Sequence, residues 1–221
     1  MQSKILVVDD EPGIRSLIMA YLQKEGYDLR EAADGPTAIK LAQSFKPDLI
    51  ILDIMLPGMD GLEVLNTIRQ TSDPYVIFLT AKTEETDRIV GLSIGGDDYV
   101  TKPFSPRELT ARVKSALRRF NKPTDKSQAL TSTHIRLDPN SHQVWQEGEL
   151  IELTQVEFDI LHTFLIHHHQ VLRREQLLEH VWGYEFYGET RTVDVHVGHI
   201  RKKLGDRFIS TIRGVGYRFD D

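Results

Sequence analysis

Over the first 120 residues, apolar or strand-forming residues alternate with polar stretches in five short runs, near 4–8, 28–32, 48–52, 75–79 and 98–101. Each is long enough for a strand and too short for a buried helix, and the intervals leave room for crossover helices. In the first interval Ile14, Leu17, Ile18, Tyr21 and Leu22 recur at helical spacing, and Gly26 supplies a C-terminal stop. Ala38, Ile39, Leu41 and Ala42 mark a second helix, and Leu62, Leu65 and Ile68 a third. Five βα units predict an α/β domain whose five-stranded parallel sheet is covered on both faces, with active groups beyond the C-terminal ends of the strands.

The pattern stops at Arg118-Arg119-Phe120. Residues 121–129 are nearly devoid of apolar side chains and include Pro123, the composition of a linker. From 130 to 221 the periodicity changes. Residues 135–137, 143–145 and 150–153 read as a small antiparallel sheet around turns at Pro139-Asn140 and Gly148. Helical spacing follows at Phe158, Leu161, Phe164 and Leu165, with Thr154 and Glu157 as a capping box, then at Leu177, Leu178, Val181 and Trp182. A third helix runs from Thr192 to about Leu204, and residues 209–219 form two strands around Gly214 and Gly216. Three helices followed by a hairpin describe a winged helix-turn-helix domain.

Charge sharpens that reading. The formal net charge is -6; residues 1–120 carry 15 basic against 18 acidic side chains, and residues 121–190 carry 5 against 11. Residues 191–218 reverse the sign, with Arg191, Arg201, Lys202, Lys203, Arg207, Arg213 and Arg218 against Asp194 and Asp206. One positive segment in a negative protein suits a local phosphate contact better than indiscriminate coating of nucleic acid. The chain has no cysteine, which excludes disulfides, thiolate metal sites and a cysteine nucleophile. No window approaches the roughly 20 apolar residues of a membrane span. No leader pattern opens the chain, so a cytoplasmic protein without membrane contact is expected.

The candidate chemistry lies at the strand ends. Asp9 and Asp10 close the first run, Asp53 closes the third, Thr80 ends the fourth and Lys102 follows the fifth. If the first and third strands are neighbours, three carboxylates converge, and their repulsion is relieved when a cation sits among them. Mg²⁺ would take carboxylate oxygens, a backbone carbonyl and water. The set suits phosphoryl transfer to a carboxylate: Asp53 on the central strand attacks phosphorus in line, while the metal and Lys102 neutralise the equatorial oxygens. The Thr80 hydroxyl can then bond a phosphoryl oxygen and report the modification to the nearby surface. Pro103 marks a constrained turn that would aim Lys102, with either peptide isomer open. An aspartyl-phosphate phosphatase shares this chemistry, but the general acid or base and the substrate-covering insertion expected of one are not found. The run His167-His168-His169 falls at a helix end, where consecutive side chains splay instead of converging on a metal.

The run from Ile5 through Asp9, Asp10 and Glu11, the run from Asp53 through Pro57 to Asp60 and Gly61, the pair Thr80-Ala81 and the run from Asp97 to Phe104 together resemble bacterial response-regulator receiver domains, over residues 1 to about 120. The resemblance implies a flavodoxin-like fold and a phosphoryl group accepted on Asp53 from a sensor histidine kinase. It implies Mg²⁺ held by Asp9, Asp10, Asp53 and the Met55 carbonyl, phosphoryl contact by Lys102, and switching by Thr80 and Tyr99. From residue 130 onward the chain resembles the DNA-binding domain of the OmpR/PhoB subfamily. That signature lies in residues 153–161, 173–178, 181–183, 191–197 and 200–204, and in the ending Thr211 to Phe219.

This second resemblance implies that the helix containing His196 enters the major groove of promoter DNA, with the hairpin in the adjacent minor groove. Arg191, Thr192, Val195, His196, His199, Arg201, Lys202 and Arg213 are the expected contacts, with Thr192 capping the helix beside phosphate and Val193, Val197, Ile200 and Leu204 as its buried stripe. Gly198 stands where related helices commonly carry a long side chain. The segment from Trp182 to Glu189 is where the subfamily can meet RNA polymerase. Arg88, Asp97, Asp98, Glu108, Arg112 and Arg119 resemble the two-fold interface of an active receiver, implying a homodimer on phosphorylation. The expected function is a phosphorylation-controlled transcriptional response regulator rather than an enzyme acting on an external substrate. The alternative is a constitutive DNA-binding regulator with an inert receiver.

Overall fold

The computed structural model describes residues 2–80, 96–120, 128–183 and 190–221, with the side chains of 119 and 120 left aside. Two compact units divide between Phe120 and Asn121. In the first, β1 (Lys4–Val8), β2 (Asp28–Ala32), β3 (Leu49–Asp53), β4 (Tyr75–Thr80) and β5 (Asp98–Thr101) form one sheet in the order β2-β1-β3-β4-β5. Every pairing in it is parallel. All residues of β3 and β4 are buried, which is why these strands read as continuous apolar runs instead of alternating ones.

Helices α1 (Pro12–Gln23) and α4 (Pro106–Phe120) pack on each other, as do α2 (Gly35–Phe45) and α3 (Gly61–Arg69). The α2 and α3 pair covers the sheet face bearing Leu6, Val8, Ile50, Leu52, Val76 and Phe78. Asp34 and Asp60 start these two helices by accepting from the amides of Thr37 and Glu63 at 2.8 Å, satisfying donors that a helix terminus leaves open. The strand order reverses on either side of β1, so β1 and β3 open a crevice beyond their carboxyl ends.

In the second unit β6 (Leu130–Thr131), β7 (Ile135–Asp138), β8 (Gln143–Gln146) and β9 (Glu149–Ile151) form an antiparallel sheet in that order. There follow α5 (Gln155–Ile166), β10 (Val171–Arg173), α6 (Arg174–Trp182), α7 (Arg191–Leu204), β11 (Ile209–Ile212) and β12 (Gly216–Phe219). Thr154 and Glu157 form the expected capping box at α5. The terminal hairpin gains a third strand, in the order β10-β12-β11. Gly216 permits that pairing, because a Cβ there would stand 2.0 Å from the Leu172 carbonyl oxygen. Strands β6 and β10 were not expected; at two and three residues they are too short to show a period. Among the described residues, no helix is long and apolar enough to cross a membrane.

Candidate functional site

The crevice gathers the acids. Asp9 and Asp53 are buried, Asp10 is exposed, and one carboxylate oxygen from each lies within 4.8 Å of the others. Lys102 reaches across from the end of β5, its Nζ 2.8 Å from Asp9 Oδ2, 2.6 Å from Asp53 Oδ2 and 3.7 Å from Glu11 Oε1. The Lys102 amide donates to the Thr80 carbonyl at 2.7 Å, which ties the lysine to the end of β4. The peptide between Lys102 and Pro103 is cis. The remaining oxygens of the two buried acids accept backbone amides: Asp9 Oδ1 from Glu11 at 2.9 Å and Asp53 Oδ1 from Met55 at 3.0 Å.

Burial raises the Asp9 carboxyl above its ordinary value, and the hydrogen bonds from Lys102 and the Glu11 amide oppose the rise without cancelling it. Burial acts on Lys102 in the opposite sense, but bonding to Asp53 and Asp9 and their charges prevail and hold the ammonium above its usual range. One lysine therefore compensates the cluster incompletely. Three carboxylates against one ammonium leave a surplus of negative charge beside buried groups, the donor set that suits a hard divalent cation. The Met55 side chain is exposed. Two residues outside the expected set shape the site. Arg15 Nη1 donates to the carbonyls of Asp9 and Asp10 at 2.7 and 3.0 Å, holding the acidic turn. Gly61 lets α3 start against β3, since a Cβ there would fall 2.2 Å from the Asp53 carbonyl oxygen. Gly61 closes the motif that runs from Asp53; Arg15 has no distinguishing signal in the sequence.

Thr80 is buried at the end of β4, one step in register from the Asp53–Leu79 pair. Tyr99 is half-buried and pairs with Phe78, so its ring packs on the face covered by α2 and α3. The residues expected at a dimer surface separate into different environments. Asp97 is 1 % exposed, accepts from Arg69 Nη2 at 2.9 Å and from the Val76 amide at 2.8 Å, and burial pushes its carboxyl up to about 6 despite Arg69. Asp98 and Arg112 are both buried and paired at 3.0 Å, and Arg112 Nη2 also donates to Glu108 at 2.7 Å. Asp97, Asp98 and Arg112 are thus interior ion-pair partners within one receiver, correcting their placement on an open surface; Glu108 retains partial exposure. Arg88 and the Arg119 side chain lie outside the described residues.

In the second unit α7 separates its side chains by angle. Val193, Val197, Ile200 and Leu204 are buried as expected. Thr192 and His196 are buried too, each 1 % exposed, and the His196 ring lies 5.6 Å from that of Trp182. Neither stands on the outward face, a correction with a simple cause: at about 100° per residue, His196 is carried from half-exposed Val195 toward the core stripe. Nor does Thr192 cap the helix; Thr190 precedes it, without a side-chain cap bond. His199 turns toward Glu157 at 3.5 Å, where Lys203 also bonds the carboxylate at 2.7 Å. Arg201 donates to the Ile209 carbonyl and Thr211 hydroxyl of the hairpin, and Arg174, Asp194 and Tyr217 join α6, α7 and β12 through bonds of 2.6 to 3.3 Å. Arg191, Lys202 and Arg213 are exposed and Val195 is half-exposed. Residues 184–189, which hold most of the expected polymerase-facing segment, lie outside the described residues.

A parallel sheet with an acid-lysine site at its carboxyl end, followed by a winged-helix unit with a locally positive helix and hairpin, defines a signalling receiver joined to a DNA-binding domain. Residues 5–114 match the response regulator receiver domain family, and residues 148–219 the family of transcriptional regulatory protein C-terminal domains. The response regulator DrrB of Thermotoga maritima, an OmpR/PhoB homologue, is 34% identical, with 100% of both chains covered and a TM-score of 0.54. A mutant of RitR is 29% identical, with 99% of both chains covered and a TM-score of 0.78. A two-component response regulator from Clostridium difficile is 33% identical, covers 55% of this chain and 100% of its own, and has a TM-score of 0.53. The chain belongs to the two-component transcriptional response regulators of the OmpR/PhoB type. Receiver domains of this kind bind Mg²⁺ through such an acidic cluster.

Proposed function

We propose that Asp53 accepts a phosphoryl group from a phosphohistidine of a sensor kinase, and that this modification controls binding to promoter DNA as a homodimer. The observation carrying the proposal is the convergence of Asp9, Asp10, Asp53 and Lys102 from three different strand ends on one crevice. Asp9, Asp10, Asp53 and the Met55 carbonyl would hold Mg²⁺, which when bound supplies positive charge against the transferring phosphoryl oxygens. An Asp53 carboxylate oxygen forms the new P–O bond as the P–N bond to the donor imidazole breaks. The bonding pair returns to the imidazole nitrogen, which then takes up a proton. Lys102 follows the charge from carboxylate to phosphoryl oxygen.

The added charge is read by Thr80, which lies beside Asp53 across the β3–β4 ladder, and is passed to Tyr99 on β5. Glu108 on α4, together with Arg88 and Arg119, would contribute to pairing of two receivers. Asp97, Asp98 and Arg112 support that surface from inside. Arg191, Val195 and Lys202 on α7 and Arg213 in the hairpin turn would meet DNA, with α7 in the major groove. Two copies then meet a site of repeated half-sites.

Intact-mass spectrometry after incubation with acetyl phosphate tests the first step. The wild-type chain should gain one phosphoryl group with Mg²⁺ and little without it, and Asp53→Asn should gain none. Equal phosphorylation of Asp53→Asn would remove Asp53 from the reaction.

A further inference from the structure

Along the helix axis, the outward arc of α7 is apolar between a cation near each end. At about 100° per residue, Arg191, Val195, Gly198 and Lys202 fall within about 60° of arc. The polar side chains on either edge are engaged with their own domain: Asp194 with Arg174 and Tyr217, Arg201 with the hairpin, and His199 and Lys203 with Glu157. Gly198 lies near the middle of α7 along its axis and at one edge of the arc, and a Cβ there would meet nothing of the described residues within 4 Å. Packing inside the protein therefore gives no reason for glycine, although glycine weakens a helix interior relative to alanine. The reason must lie with what approaches from outside.

Duplex DNA is the occupant, given the chain's family and the cations toward the two ends of the helix. Arg191 and Lys202 are separated by about 16 Å along the axis, at about 1.5 Å per residue, a span that lets both meet phosphates while the centre faces base edges. On that arc no amide or carboxylate side chain stands between them to read a base by paired hydrogen bonds; Asp194 lies off it and is engaged with Arg174 and Tyr217. What stands there is the isopropyl group of Val195 and bare backbone at Gly198. In the major groove the base feature that matches an apolar surface is the 5-methyl group of thymine.

We propose that α7 reads thymine methyl groups through Val195, in a notch that glycine at position 198 keeps open, between phosphate contacts from Arg191 and Lys202. This rests on α7 being the helix that enters the groove. Gly198 is then a specificity-determining residue by virtue of having no side chain.

The test uses the full chain, acetyl phosphate and Mg²⁺, and a duplex recovered by selection from a random-sequence library. Replacing single thymidines of the recovered site by 2′-deoxyuridine removes only the methyl group. At one position per half-site the wild type should lose about fourfold in affinity, the worth of one buried methyl-sized group. Val195→Ala should bind the two duplexes within a factor of two of each other. Gly198→Ala should lose about tenfold or more on the recovered site, because the added methyl fills the notch, while its thermal midpoint rises. Stability and affinity moving in opposite directions is a result that a structural role for Gly198 does not produce.

Wild-type indifference to uracil at every thymidine would overturn the proposal, as would Gly198→Ala binding as tightly as wild type. Arg191→Ala and Lys202→Ala separate the two ways of failing. If they weaken binding while uracil has no effect, α7 enters the groove but does not read methyl groups. If they too have no effect, the placement of α7 itself is wrong and the proposal falls with it.

Discussion

Replacing Glu157 by Gln removes a charge from a buried junction between α5 and α7 while preserving most of the side chain's volume. Glu157 is 2 % exposed and has two bonding roles. It closes the α5 capping box by accepting the Thr154 amide at 2.8 Å, and it receives Lys203 at 2.7 Å and faces His199 at 3.5 Å. Burial alone would raise its carboxyl, but His199, Lys203 and the Thr154 amide outweigh burial and hold it near about 2, against 4.5 for the free group. At roughly 1.4 kcal/mol per tenfold change in proton affinity, that difference is worth about 3 kcal/mol of native-state preference for the charged form. The carboxyl is depressed in the folded state, so its contribution is complete above about pH 4.5 and disappears as pH falls toward 2. Trp145 and Trp182 are the two tryptophans of the chain and both lie in the second unit, so their fluorescence in a urea titration follows that unit. Glu157→Gln should lower its unfolding free energy by about 2 to 3 kcal/mol at pH 7, and the gap from wild type should shrink between pH 4.5 and 2. A loss below about 0.5 kcal/mol at pH 7, or a gap of constant size at all pH values, would refute the reasoning.

Other predictions concern the remaining junctions. Gly61→Ala places a Cβ 2.2 Å from the Asp53 carbonyl and should destabilise the receiver by about 2 to 4 kcal/mol, read by calorimetry as a lower first-unit transition. Tyr217→Phe keeps the ring but deletes the hydroxyl that donates to Asp194 at 2.6 Å; a loss of about 1 to 2 kcal/mol is expected in the tryptophan-monitored transition. Asp9→Asn should raise the melting temperature of the metal-free receiver at pH 7, because a buried carboxyl raised above its ordinary value destabilises the fold increasingly as pH climbs from 3.8 through its native pKa. For the same reason Mg²⁺ affinity of the wild type, measured by titration calorimetry, should fall as acid protonates Asp9.

The receiver was legible where chemistry and periodicity coincide. Uninterrupted apolar runs such as residues 49–52 declared strands buried on both faces, and the acid or hydroxyl at the end of each marked the crevice. Pairings across long sequence separations were not legible. Asp97 and Asp98 read as surface acids because their partners, Arg69 and Arg112, lie 28 and 14 residues away and meet them only through the fold. On α7 the apolar stripe was legible, but Thr192 and His196 are polar residues that the fold buries beside it. The polarity of His196 hid the fact that Trp182 packs beside it. Glu157 announced its local role in the capping box, while its pairing with Lys203, 46 residues on, awaited tertiary structure.

The central claim is that chemistry at Asp53 governs DNA binding. Its most direct test is selection of duplexes from a genomic fragment library by wild type with acetyl phosphate and Mg²⁺, wild type without them, and Asp53→Ala with them. Enrichment of paired half-sites by the phosphorylated wild type alone is the predicted result. Equal enrichment of the same sites in all three samples would contradict the account, leaving a DNA-binding protein whose receiver does not control it.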